Sequence, residues 1–491
     1  MLLQSGDVSL LDVPAVTGNR VVTSPGRRPR WAATTPARIR LLAVAVAVPA
    51  VALVVLFAVG ARDEHAGLDV IGHRTAPVVV ASTDLSFALD DMDAQLANVL
   101  LVGDETTLGF TRAQALTIYD QRRRQAVGDL QQVAAASGDP AGGQRVRDIL
   151  DAFGRYQALA AQTILLDQQV NHTAGQPPAA ALARYRQATD LLKATLLPAA
   201  RDLADRNARA LELTYQSQHG AALATRTWIA VTGTVLVVVL IVGQVLLARR
   251  FQRLFNPALG VATLLAGALT VSGIVVTTGV AGHLRVAKKD AFDSILVLSQ
   301  ARAVSYDANA DESRFLLDPG RAAQYEQAFL TKTQQLVTLP DATLATFDRQ
   351  FTTARDAYQR DHGDVGWQGF LGTEFRNITF AGERGTAETT LRRYQTYQLD
   401  DRRIRALVAD GHLRDAIALC TGYAPGDSNF AFDEYDKALS ALIDINQHAF
   451  DENIDGGQRQ LAGWALLPPA AGLAVLGLLV VGLRRRLAEY R

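Results

Sequence analysis

The residue types that commonly carry catalysis or bind metal ions are scattered along this chain. The closest two of its eight histidines, His65 and His73, lie eight residues apart, well beyond the one-turn spacing of a helical ligand pair. The sequence has no Walker A loop, no nucleophile elbow and no HExxH motif. We therefore expect no catalytic constellation, no metal site and no cofactor, and we expect that the protein is not an enzyme.

The sequence has two short runs of charged residues, and the first of them could form a metal site. The first is Asp90-Asp91-Met92-Asp93, and the second is Asp400-Asp401-Arg402-Arg403. Carboxylates can bind a metal ion, but at this spacing they more often form the solvent-facing surface of a helix. We interpret the first run as a solvated helix face and the second as an exposed charge cluster.

An aromatic segment, Asp364–Arg384, is the strongest candidate for partner binding. Its candidate contact residues are Trp367, Phe370, Phe375, Arg376 and Phe380. Aromatic side chains and arginine are common anchors of protein interfaces. The alternative is a satellite hydrophobic cluster beneath a long loop, and the sequence leaves both interpretations open.

Four uncharged apolar stretches are long enough to cross a membrane as helices. They cover residues 41–61, 227–248, 257–283 and 460–483. None contains Asp, Glu, Lys or Arg, which argues against a transporter because transporters usually keep ionisable groups at membrane depth. We expect the first stretch to remain as an uncleaved anchor.

The short flanking segments are strongly basic. The tail 1–40, the link 249–256 and the tail 484–491 together hold thirteen basic and three acidic residues. The positive-inside rule predicts a multi-pass protein of a bacterial plasma membrane with both termini in the cytoplasm. Arg249, Arg250 and Arg253 are candidate cytoplasmic contacts, although they also fix topology and can touch lipid head groups.

The two large polar segments, 62–226 and 284–459, then face outward, and both show helical periodicity. Helices are predicted at 64–102, 111–137, 143–171 and 178–226, and then at 286–317, 320–338, 341–361, 386–409, 412–422 and 431–459. Pro77 and Pro198 should interrupt the two long helices of the first segment. The predicted fold class is all-α, with four transmembrane helices and two extracytoplasmic antiparallel bundles.

The two segments also carry a local echo, because Asp91–Leu101 aligns with Asp307–Leu317 at the end of each first helix. Together with the repeated order of span, polar segment and span, this echo favours a tandem repeat. The second bundle has an insertion, 363–430. We expect its helix pair to form a hairpin at the end far from the membrane, with the aromatic segment beside it.

Several segments give the chain a family resemblance. They are Ala181–Leu192 with Leu196–Ala200, Asp307–Asp318, Glu374–Phe380 and Phe432–Leu439. These segments are similar to actinobacterial membrane proteins of the GlnX type, and the abundance of Arg over Lys fits a GC-rich genome. The resemblance implies partnership with a glutamine-binding-like lipoprotein outside and with protein kinase G, a Ser/Thr kinase, inside. The outer domains also resemble the helical-bundle sensor domains of bacterial chemoreceptors.

We therefore expect a non-enzymatic transmembrane relay that senses an extracytoplasmic, amino-acid-loaded binding protein and controls a cytoplasmic kinase. An envelope scaffold or assembly protein is the alternative, and an accessory subunit of a transporter comes third. Membrane lipids are expected contacts, nucleic acid is not, and a homodimer is left open.

Overall fold

A computed structural model describes residues 35–136, 138, 140–251, 256–464 and 466–487. These residues form helices and no strand, which confirms the all-α class. Most of the predicted N-terminal tail and residues 252–255 of the link lie outside the described residues. The helices are α1 Thr35–Asp69, α2 Ala76–Val102, α3 Arg112–Ala136, α4 Pro140–Gln168, α5 Ala179–Leu191, α6 Leu197–Phe251, α7 Pro257–Arg285, α8 Asp293–Leu317, α9 Ala322–Leu336, α10 Leu344–Arg360, α11 Gly369–Asn377, α12 Glu383–Ala409, α13 Leu413–Thr421, α14 Ser428–Leu461 and α15 Leu467–Leu487.

Four helical stretches among the described residues are long and apolar enough to cross a membrane. They are Ile39–Val102, Ala179–Arg249, Pro257–Leu317 and Leu467–Arg484. Their apolar parts, in α1, α6, α7 and α15, pack around one shared core of aliphatic side chains and Phe57. The protein is therefore a membrane protein, and the first three spans run on as helices into the polar segments.

The fourth span is separated from the helix that precedes it. α14 ends at Leu461, and Gly463 adopts a positive φ of 86°, a backbone conformation that favours glycine. Pro468 and Pro469 then occupy the first turn of α15, where proline is tolerated because those N–H groups have no helical partner. The apolar helix of the fourth span thus begins at Leu467, whereas the sequence predicts a span from residue 460.

The first polar segment is helical at the four predicted places, and α3 and α4 begin and end within three residues of the predicted bounds. The four places hold α2, α3, α4 and the pair α5–α6, which surround buried aromatic and aliphatic side chains that include Tyr156 and Tyr185. The side chain of Gln132, near the end of α3, donates to the carbonyl of Pro77 at the start of α2, so α3 returns toward the spans.

The second polar segment has one helix that the sequence pattern did not predict. α11 lies inside the aromatic segment, where Gly366, Gly369 and Gly372 weaken a helical prediction. An isolated antiparallel bridge between Thr338 and Gln368 places its start beside the end of α9. α9 and α11 together therefore take the place of one helix beside α8, and α10 packs against α12 with three aromatic side chains in the same core.

The predicted location of the aromatic segment is wrong. Asn377, at the end of α11, donates to the carbonyls of Lys289 and Asp290, just beyond the third span. Phe380 packs beside the cluster that contains Leu284 and Phe450. The segment therefore reaches the end of the bundle nearest the spans, because α11 adds a descending element that the predicted helix count lacked.

Three π-helical segments interrupt the long helices of the described residues, two of them next to the first and third spans and one beside the charged residues of the first polar segment. They are Val70–Thr75, Leu192–Leu196 and Val286–Phe292. Two of them immediately precede Pro77 and Pro198, so each helix continues with a wider turn where an interruption was predicted. Val70 and Val286, the first residues of two of these segments, are 216 residues apart, as are Asp91 and Asp307 of the sequence echo.

Candidate functional site

The contact between the two bundles is built mainly from α2 and α8. Nearly every residue of α2 is buried, because this helix packs against its own bundle and also against α8. The ring of Phe87 meets Tyr306 edge-on with centroids 4.4 Å apart, and Ser313 Oγ donates to Asn98 Oδ1 at 2.7 Å. Since α2 continues from the first span and α8 from the third, this contact connects the helical extensions of two spans.

Six charged side chains meet inside this contact, and we call them the charge cluster. They are Asp93, Lys193, Asp307, Asp311, Arg314 and Lys332. Arg314 has no exposed surface, and its Nη2 lies 2.7 Å from Asp93 of the other bundle. Its Nη1 lies 3.1 Å from Asp307 and 2.6 Å from Asp311. The planar guanidinium thus bridges three carboxylates, which a lysine ammonium could not do in the same way.

Two lysines complete the charge balance of the cluster. Lys332 binds Asp307 at 2.7 Å and also binds Asp311, whereas Lys193 reaches Asp311 at 3.1 Å from the first bundle. Three cations thus face three carboxylates. This neutrality offsets part of the large cost of moving charges away from water.

Hydroxyl groups of the first bundle complete the shell around Asp93. Thr189 Oγ1 donates to its carboxylate at 2.8 Å, and the phenol groups of Tyr185 and Tyr156 lie 3.2 Å and 3.4 Å away. Asp93 therefore accepts from Arg314 of one bundle and from three hydroxyls of its own. The shared carboxylate fixes the position of α8 relative to the first bundle, because Arg314 and the three hydroxyls can all donate to Asp93 in only one arrangement.

The cluster also shifts the pKa values of two neighbouring carboxyl groups in opposite directions. Burial alone would raise the pKa of Asp307, but Lys332 and Arg314 hold that pKa well below its ordinary range. Burial raises the pKa of Asp90 well above its ordinary value, and the charge on Asp307 raises it further. Both Asp90 carboxyl oxygens are buried without a hydrogen bond to any described residue, and Arg201 Nη2 lies 3.7 Å away. The pKa values of Asp90 and Asp307 are thus shifted in opposite directions.

Two charged runs are thus more buried than the sequence pattern indicates. The interpretation of residues 90–93 as a solvated helix face is wrong, because Asp90, Asp91 and Asp93 all lie in the contact between the bundles. Of the second run, Asp400 and Asp401 are buried, and only the arginines reach the surface. Sequence reasoning missed these sites because charged residues are seldom buried unless paired, and the partners are distant along the chain.

Further ion pairs tie the bundles together at both ends of the contact. At the far end, Arg186 binds Asp318 with two hydrogen bonds of 2.8 Å and 2.5 Å. Near the spans, Glu212 of α6 accepts from Lys288 at 2.8 Å and from Lys289 at 2.9 Å. The hydrogen bond from Lys288, with support from Lys289, lowers the pKa of Glu212 to about 2. The π segment after the third span is therefore bound to the helix that enters the second.

The structure divides the predicted partner-binding residues into two groups. Trp367 and Phe375 lie in the core of the second bundle, where their rings pack against each other with centroids 5.2 Å apart. They cannot anchor a partner without unfolding part of that core, so for these two side chains the hydrophobic-cluster interpretation fits. Phe370 and Phe380 are half-buried and Arg376 is exposed, so these three remain accessible.

An open groove of about 1090 Å³ runs beside the accessible residues of the aromatic segment. Its walls come from the second half of α9 and from the segment around α11, and they carry mainly amide and hydroxyl side chains, with Phe370 and Arg376. Arg376 Nη1 donates to the carbonyl of Trp367 at 2.9 Å, which holds the guanidinium at the edge of this groove.

Two of the three predicted cytoplasmic arginines lie at the end of α6. Arg249 is exposed, and Arg250 continues the helix. Arg253 lies outside the described residues. The structure thus places Arg249 at the end of the second span, next to the link.

Comparison with known protein families gives one match. The model of an actinobacterial sensor domain matches residues 67–216, which cover the first bundle from its first π segment into α6. No curated protein and no solved structure matches the chain. The match supports a sensor protein of actinobacteria, and the matched residues include Asp93, Lys193 and the hydroxyl shell of the charge cluster.

Proposed function

We propose that this protein is a non-enzymatic transmembrane relay. The charge cluster is the observation that supports this proposal most directly. It joins α2 and α8, the helices that continue from the first and third spans. A small displacement of one bundle against the other would move the first and third spans, since long helices transmit shifts of one or two ångströms. The sensor-domain match and the four apolar spans support this role.

In this proposal the outer bundles face away from the cytoplasm and receive an amino-acid-loaded, solute-binding lipoprotein. The groove beside Phe370 and Arg376 supports this part, because amide-lined grooves with an aromatic side chain and an arginine suit a protein partner. Ala variants of Phe370 and Arg376 should weaken capture of such a lipoprotein by the full chain. The matched control is Leu399→Ala, which removes an exposed side chain elsewhere on the second bundle.

The orientation can be tested with single cysteines in a Cys420→Ala background, because Cys420 is buried. Cysteines at Gly138 and Gly426 should react with a membrane-impermeant reagent in intact cells. A cysteine at Gln252 should react only after the membrane is opened. Labelling of position 252 in intact cells would overturn the proposed topology.

The relay and the scaffold differ in whether the outer contact controls the cytoplasmic ends of the spans. Spin labels at Leu246 and Val481, both exposed on their spans, report the distance between α6 and α15. In a relay, Arg314→Met should shift this distance distribution by about one to two ångströms. Arg206→Met is the matched control, because Arg206 forms an exposed pair with Asp202 within one helix. An unchanged distribution in both variants would favour the envelope scaffold.

On the cytoplasmic side we propose that a Ser/Thr kinase reads the surface around Arg249, Arg250 and Arg253. Replacing all three with lysine keeps the charge that fixes topology but removes the guanidinium fork. The variant should insert normally and lose partner-dependent phosphorylation of the kinase's targets. Normal phosphorylation in this variant would assign the three arginines to topology and lipid contact alone.

A further inference from the structure

A second cavity lies between the bundles, on the opposite side of α2 from the hydroxyl shell of Asp93. Its volume is about 580 Å³, within the range of small-molecule sites. The first bundle contributes Phe110, Gln114 and Gln121, and the second contributes Asn309, Tyr423 and Phe432. We call this cavity the interbundle cleft. It is separate from the groove beside Phe370, which belongs to the second bundle alone.

Aromatic side chains form the apolar part of the cleft. The buried ring of Phe110 packs on Tyr423 with centroids 5.4 Å apart, although the two residues belong to different bundles. Tyr423 is 44% exposed, so one side of its ring remains open to an occupant. A planar or aromatic body could therefore pack against the open ring and displace water from it.

The polar groups of the cleft include some that have no protein partner. The side chain of Gln121 has no hydrogen bond to another described residue, and the side chain of Asn309 has only a long one, 3.5 Å to Asn429. Gln114 accepts two bonds from Thr111 through Oε1 and leaves its amide N–H groups unused among the described residues. These amides can donate to and accept from a ligand, and they give the cleft directional contacts.

The charges of the cleft decide which ligands it can take. Arg122 is its only cation among the described lining residues, and Nε already binds Asp91 at 2.6 Å while the guanidinium stacks 4.4 Å above Phe87. Asp433 adds a carboxylate, and its 2.6 Å ion pair with Lys437 is exposed to water and therefore weak, unlike the buried pair of Arg122 with Asp91. An anion would therefore find no free cation, whereas an amine would meet a carboxylate and aromatic faces.

We propose that the interbundle cleft binds a small neutral or singly positive molecule with an aromatic body. Such a ligand would touch α2 and α3 of the first bundle together with α8 and the start of α14 of the second. It would thus constrain the same contact that the charge cluster holds. The binding claim stands on the cleft alone, whereas its effect on the spans rests on the proposed relay.

Three probes with one phenyl ring and different charges test this proposal. They are phenethylamine, phenylalanine and phenylacetate, each titrated against the full chain in lipid nanodiscs by calorimetry and saturation-transfer NMR. Phenethylamine should bind tightest and phenylacetate weakest. Tyr423→Ala should weaken phenethylamine about threefold to tenfold, the equivalent of one cation–aromatic contact.

Control variants keep the result interpretable. Tyr423→Phe retains the ring and should retain the affinity, whereas Gln121→Leu removes an amide and should weaken phenylalanine. Leu165→Ala removes an exposed side chain outside the cleft and should change nothing. Absence of binding by every probe at millimolar concentration, tighter binding of phenylacetate, or indifference to Tyr423→Ala would each overturn the proposal. Phenethylamine binding without a change in the distance between labels at 246 and 481 would retain the site and contradict the relay.

Discussion

Replacement of Arg314 by methionine should weaken the contact between the bundles more than any change at an exposed ion pair. Methionine keeps much of the side-chain volume but removes the one cation among the described residues that binds Asp93, and it leaves Asp307 and Asp311 with Lys193, Lys332 and the more distant Arg201. Removal of one partner from a buried ion pair costs about 3–5 kcal/mol, because the remaining charge is buried and unpaired. The expected loss is near the upper end, since Arg314 binds three carboxylates.

Hydrogen exchange of the full chain in nanodiscs measures this loss locally. A loss of about 3–5 kcal/mol corresponds to exchange that is roughly a hundredfold to a few thousandfold faster. Peptides from α2 and α8 should show the change, and peptides from the spans should not. Arg206→Met should leave the exchange rates nearly unchanged, because its pair with Asp202 is exposed and lies within one helix.

A double-mutant cycle separates the ion pair from the lost side-chain packing. Asp93→Asn alone removes the carboxylate that Arg314 shares with the hydroxyl shell, and the double variant removes both charges. We expect the double variant to lose less stability than the sum of the two single variants. Arg314→Lys should give an intermediate loss, because one ammonium cannot reach all three carboxylates. If Arg314→Met exchanges no faster than Arg206→Met, the cluster does not hold the bundles together.

Two further predictions concern single sites. Burial and the neighbouring Glu383 raise the pKa of Glu374 from 4.5 to about 8, so its contribution to stability is fully present below about pH 4.5 and is lost as the pH rises through about 8. The Glu374→Gln variant should therefore have the melting temperature of the wild type at pH 5 and a higher one at pH 9. Equal melting temperatures of the two proteins at both pH values would refute this assignment. Gly103 has a φ of 60°, and a Cβ there would lie 2.6 Å from the carbonyl oxygen of His172, so Gly103→Ala should lower the melting temperature more than Gly109→Ala, where φ is also positive but the space is open.

The sequence predicts most helices of this fold because their apolar residues recur with helical spacing between Gly and Pro breaks. It does not predict α11, because three glycines in the segment outweigh its short apolar pattern. The placement of Asp93 also lies beyond sequence reasoning, since its Arg314 partner is 221 residues away and each residue looks like a surface charge in its own helix. The burial of Trp367 has the same origin, because an aromatic residue in a Gly-rich segment fits a core and an interface equally well.

The π segments raise the question whether proline or packing causes the wider turn. In the first segment the N–H of Ala76 bonds to the carbonyl of Ile71, immediately before Pro77. The sequence echo pairs positions 216 residues apart, so Asp293 of the second bundle corresponds to Pro77. The backbone N–H of Asp293 nevertheless donates to the carbonyl of Lys288, five residues earlier. A turn that forms with and without proline must be selected by what surrounds it.

We therefore expect Pro77→Ala to retain the π turn. Conversion to a regular α-helix would rotate α2 by about 100° relative to the first span, since each residue of an α-helix turns by that angle. Such a rotation would carry Asp93 away from Arg314 and expose the charge cluster. The variant should thus keep its melting temperature within a few degrees and keep the exchange protection of α2. Rapid exchange at residues 90–102 in Pro77→Ala would instead show that proline, and not the contact between the bundles, sets the register of this helix.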